Sequence, residues 1–157
     1  MREDVLARFF NGKATSAELA RDLNGSEERV SDIESVVNIE DMQEELVVTR
    51  EMAVALCDAV LSEELAPSAL ATIGFALMAS EKFMWDGEDV LGDIIADWSC
   101  PEVNYTLNVE NVRKFRAWLT GREQYPEKPS VTADSMRIIS VRRKKTLHRW
   151  PTPPSRS

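Results

Sequence analysis

Histidine is nearly missing from this chain: a single one, His148, stands in the last ten residues. That scarcity removes Ser–His–Asp and Cys–His nucleophile arrangements, zinc fingers and the HExxH metalloprotease pattern. Neither GxGxxG nor GxxxxGK[ST] occurs, so the common phosphate cradles are lacking too. Cysteine is also scarce. Cys57 and Cys100 lie in apolar, helix-patterned surroundings without a CxxC motif, which predicts reduced core thiols rather than a redox pair. No apolar run reaches the roughly 20 residues that span a bilayer, and the longest, residues 69–79, is broken by Thr72 and Gly74. Met1-Arg2-Glu3-Asp4 is not a basic signal-peptide start. The expectation is a cytoplasmic protein with no membrane contact.

Acidic residues are absent from one region only. All 27 lie at or before Asp134, and from Arg137 onward there are none. That last stretch carries Arg137, Arg142, Arg143, Lys144, Lys145, Arg149 and Arg156, so the net charge of −8 divides into a body of −15 and a tail of +7. A body so charged repels nucleic acid and membrane surfaces and attracts basic protein surfaces. With 43% hydrophobic and 29% charged residues, the chain is large enough for one domain with a core of its own.

Helical periodicity dominates the body. Val5, Leu6, Phe9 and Phe10 form a stripe ended by Asn11-Gly12, and Ser16 can cap a second helix with Leu19, Ala20 and Leu23 inward. A third helix is expected from Ser26, with Val30, Ile33 and Val37 on one face; residues 39–46 look like a weaker helical or linking segment. Thr49 opens a clearer helix, Pro67 suits the first turn of the next, and residues 68–79 are apolar nearly all round, as in a buried central helix. Asp86 can cap residues 88–98, and Asn108 can cap residues 109–119 with Gly121 behind. The fold class expected is therefore all-α: an acidic domain of six or seven helices over residues 1–125. Residues 126–157 form a Pro-rich basic tail, expected to be extended or disordered, although residues 136–141 could pair as a short strand.

Three constellations bear on function. Asp89, Asp93 and Asp97 recur at i, i+4 and i+8, with Asp86, Glu88 and Glu102 nearby and Trp85 as a candidate anchor. This is a candidate docking face for a basic partner; it also reads as a solvated helix face, or as oxygen ligands for a divalent cation. Residues 16–37 have the spacing of a helix-turn-helix, the alternative being a transcriptional regulator. Its would-be reading helix, however, shows Glu27, Glu28, Asp32 and Glu34, which phosphates repel. The tail, with Arg142-Arg143-Lys144-Lys145, Arg149 and Trp150, suits nucleic acid or an acidic surface, or simply solvent. Paired carboxylates could in principle catalyse, but on so acidic a surface pairs arise by chance. No enzyme activity, cofactor or metal is expected.

The opening residues 5–19, Val-Leu-Ala-Arg-Phe-Phe-Asn-Gly-Lys-Ala-Thr-Ser-Ala-Glu-Leu, resemble the start of colicin D-type immunity proteins. There a helix ending in paired apolar residues turns through Thr/Ser into a second helix. The resemblance covers about 20 of the 157 residues. It implies a small acidic helical inhibitor from a bacterium that covers the basic active site of an RNA-cleaving toxin. Together with the charge it leads to one expectation: a non-catalytic, immunity-like binding protein for a basic protein surface such as a toxin or nuclease. Nucleic acid is not expected on the body.

Overall fold

A computed structural model describes residues 1–31, 34–85, 89–127 and 138–144. Among these residues the chain runs α1 (Glu3–Phe10), α2 (Ser16–Leu23), β1 (Glu27–Arg29), β2 (Glu34–Glu40), β3 (Leu46–Val47), α3 (Arg50–Leu61), α4 (Ala69–Ala79), β4 (Phe83–Met84), α5 (Asp89–Ser99), α6 (Val109–Leu119) and β5 (Ile138–Lys144). The fold is mixed α/β and mostly helical. This corrects the all-α expectation.

Helix starts follow side-chain chemistry. Thr15, rather than Ser16, caps α2: its hydroxyl accepts from Glu18 N while the Glu18 carboxylate accepts from Thr15 N, a reciprocal capping box. That backbone hydrogen bond, helped by the Thr15 hydroxyl, holds the Glu18 carboxyl below its usual range. Thr49 caps α3 and Asn108 caps α6, each accepting from the amide three residues on.

The correction centres on residues 26–37. The expected third helix is instead a hairpin, β1 pairing antiparallel with β2 so that Glu27 faces Val37 and Arg29 faces Ser35. Val30, placed on a helix face by its spacing, is 57% exposed in the connection, and Ile33 lies outside the described residues. Among the described residues of 26–37 there is then no second helix of the kind that a helix-turn-helix uses to read DNA. The physical reason is the density of β-branched residues: Val36, Val37 and Ile39 lose little χ1 freedom in a strand and pack well on its pleat. Ser35, Val36 and Val37 are all buried in succession, the mark of a strand covered on both faces.

β2 is the centre of a three-stranded sheet of order β1-β2-β5, with β5 parallel to β2 in a register that sets Glu34 beside Ile138 and Glu40 beside Lys144. Part of the basic tail is thus built into the sheet. A second, two-stranded sheet pairs β3 with β4 in parallel, setting Val47 beside Met84.

The core lies between this sheet and the helices. α4 packs on α5, α2 and β2, while α3 packs on α6. Leu70, Ile73, Leu77, Leu91, Ile94, Ile95, Trp98 and Phe115 are fully buried, each side chain worth about 1.5–3 kcal/mol of transfer out of water. α4 is the buried central helix its composition predicts, although Met78 at its end is exposed. Its crossing with α5 depends on Gly74: a Cβ there would stand 2.7 Å from Trp98 Cβ and 2.9 Å from Ser99 N.

Candidate functional site

The expected acidic stripe on α5 separates into parts. Asp93 is exposed, but Asp97 is 0% exposed and turned into the protein. A spacing of i, i+4, i+8 drifts by about 80° around a helix of 3.6 residues per turn, and this drift carries the third carboxyl inward. There it accepts hydrogen bonds from Asn104 Nδ2 at 2.8 Å and from Tyr125 Oη at 2.6 Å. Burial first, and then the hydrogen bond to Asp97, push the Tyr125 hydroxyl's pKa well above its ordinary range, so it stays a donor. Asp97 is therefore a latch joining α5 to the segments on either side of α6. The aromatic series Trp98–Phe115–Tyr105–Trp118–Tyr125, with ring centroids 5.2–6.1 Å apart, closes over the same end of the molecule.

Trp85 is half-buried, packed against the core, with its Nε1 3.1 Å from where a Cβ on Gly92 would stand. It lies beside Gly92 of α5. Asp86 and Glu88 lie outside the described residues, as does the side chain of Asp89. Glu102 is exposed on the segment that follows α5.

Glu102 leads to a concavity that sequence reasoning missed. A hollow of about 360 Å³ opens between β1, the first turns of α4 and residues 101–107. Glu27 and Glu102 stand on its walls, and Val37, Ala71, Phe75 and Leu107 give it an apolar floor. A neighbouring hollow of about 420 Å³, lined also by α2, meets the first at Glu27, Ser68 and Thr72. Thr72 is 9% exposed, and its hydroxyl has no hydrogen bond among the described residues, although a mid-helix threonine commonly bonds the carbonyl four residues back. The amides of Ala69, Leu70 and Ala71 are already bonded to Ala66, Pro67 and Ser68 carbonyls. The first hollow therefore has carboxylates and a hydroxyl on its walls, and among the described residues no Lys or Arg lines it.

A third hollow, of about 330 Å³, has the opposite character, with Arg113, Arg116 and Arg122 around Leu61 and Ala117. Arg116 is held by Asp58.

Cys57 is buried, and burial pushes its thiol up to about 12. Both cysteines are free thiols. Among the described residues no group of three or more His, Cys, Asp or Glu could hold a metal ion. No described helix is long and apolar enough to cross a membrane. No protein-family model, curated protein or solved structure matches the chain.

Proposed function

We propose that this chain is a non-catalytic binding protein that covers a basic surface of another protein, in the manner of an immunity-type inhibitor. One observation carries the reading: Glu27 and Glu102, from distant parts of the chain, stand on the walls of one hollow with an apolar floor. Glu28, exposed on β1 beside it, extends the negative rim. Carboxylates around a concave apolar surface give a basic partner both long-range attraction and a dry contact at the centre. The acidic body, at −15 before the tail, supplies the field that speeds the encounter. The N-terminal resemblance to colicin D-type immunity proteins agrees with this reading and suggests a toxin or nuclease as the partner. Compared with the face expected from sequence, the docking surface keeps Glu102, moves from α5 to the β1–α4 side, and excludes Asp97.

Affinity capture at low and moderate salt tests it, comparing the wild-type chain with one carrying Glu27→Gln, Glu28→Gln and Glu102→Gln. The wild type retains a protein of high isoelectric point, retention falls as salt rises, and the triple variant loses most of it. A partner held equally by both chains, or held independently of salt, overturns the reading.

A further inference from the structure

We infer that the basic hollow between α3 and α6 is a second binding site, apart from the surface proposed above, and that it takes the phosphate of a small phosphate monoester. Local structure builds it. Arg113, Arg116 and Ala117 stand at i, i+3 and i+4, so α6 turns them to one face, against Leu61 at the end of α3. Gly121, at a φ of +72°, then ends α6 in a Schellman turn: Arg122 N donates to Ala117 O at 2.9 Å and Gly121 N to Trp118 O at 3.2 Å. That turn brings Arg122 back beside Ala117. An apolar residue commonly holds this position of the motif; here it is a third guanidinium.

Charge is the second argument. Arg116 is held by Asp58 through Nε, which leaves its terminal nitrogens without a hydrogen bond among the described residues. Arg113 and Arg122 make no side-chain hydrogen bond or ion pair among those residues. Nor are the three side chains needed to close the helix. The Arg116, Ala117 and Trp118 carbonyls accept from backbone amides, and Leu119 O accepts from Arg50. Among the described residues no Asp or Glu lines the hollow. Three guanidiniums less the Asp58 carboxylate leave two positive charges, the match of a phosphate monoester dianion. The negative end of α6 opposes an anion with roughly half a charge, which those two outweigh.

Size and shape select the ligand. About 330 Å³ lies at the lower end of ligand-sized pockets, and Leu61 and Ala117 offer apolar surface to the carbon beside the phosphate. Guanidinium forks pair phosphate oxygens two at a time. A small dianion in the hollow meets mainly the charges within a Debye length, about 8 Å. A long polyanion such as nucleic acid would run on over a body of −15, which repels it. A purely apolar ligand would desolvate guanidiniums without pairing them, which is costly.

The test titrates the full ¹⁵N-labelled chain at low salt with n-butyl phosphate, inorganic phosphate and, at matched ionic strength, sodium chloride. n-Butyl phosphate should move the amides of Leu61, Arg113, Ala117 and Arg122 saturably. Inorganic phosphate should move the same amides about threefold more weakly, since it lacks the carbon chain, and chloride should not saturate them. Arg113→Gln and Arg122→Gln should each weaken n-butyl phosphate by about three- to tenfold, with Arg113→Lys in between because it keeps the charge and loses the fork. Both arginines are exposed, so the free variants should keep the wild-type spectrum away from the hollow. Chloride reproducing the shifts, shifts confined to other surfaces, or wild-type affinity in both Gln variants overturns the inference. Inorganic phosphate binding as tightly as the ester overturns the monoester assignment. An oligoribonucleotide that moves these amides at lower concentration than n-butyl phosphate overturns the choice of a small ligand.

Discussion

Gly74 and Asp97 do the most specific work at the level of single residues. A methyl group at position 74 would collide with Trp98 Cβ and the Ser99 amide, both part of a packed helix and unable to swing aside. Gly74→Ala should cost about 1–3 kcal/mol, seen as a lower denaturant midpoint with unchanged slope. Gly92→Ala should cost less, because the atom it meets belongs to the Trp85 side chain. Tyr125→Phe leaves one oxygen of the buried Asp97 carboxyl without the phenol donor and should cost about 1–3 kcal/mol. The same contact sets a pH dependence. The folded-state pKa of Tyr125 is raised, so its contribution is fully present below the ordinary tyrosine range near pH 10 and is lost as pH rises beyond it. Wild-type stability should therefore decline above about pH 10, and Tyr125→Phe should flatten that decline. Thermal unfolding at several alkaline pH values checks both effects; identical pH profiles would contradict the latch.

At the scale of elements, what could be read from sequence was what is local. Thr49 and Asn108 sit at helix starts with their apolar stripes directly behind them, so α3 and α6 were legible, as was the all-round apolar α4. The hairpin was not. Val30, Ile33 and Val37 fit a helical period, but the β-branched run through Ile39 prefers a pleat, and that preference is only satisfied once β2 has neighbours on both edges. One neighbour, β5, comes from the far end of the chain, where nothing near residue 34 could announce it. The pairing has a consequence for stability. A chain ending at residue 127 leaves one edge of β2 bare, and an unpaired strand edge invites association. Light scattering and denaturant unfolding should show the shortened chain less stable and more prone to self-association than the full one; equal stability of the two would contradict a structural role for β5.

For the molecule as a whole, charge is distributed less simply than a −15 body with a +7 tail. Arg142, Arg143 and Lys144 lie in β5, joined to the sheet beside Asn38, Ile39 and Glu40, so basic residues are stitched onto the acidic body. Arg113, Arg116 and Arg122 form a basic hollow of their own. The docking surface we propose is therefore a local feature, the Glu27–Glu102 hollow, set within that wider acidic field. Of the described residues expected to dock a partner, Glu102 is the one that lines it; Glu27 could not be paired with it before the fold brought β1 beside the segment following α5. The most direct measurement is hydrogen–deuterium exchange of the chain alone and in complex with its captured basic partner. The account predicts slowed exchange in residues 27–31, 68–75 and 101–107, with the α3–α6 side unchanged; protection confined to α3 and α6, with the hollow exchanging as in the free chain, would contradict it.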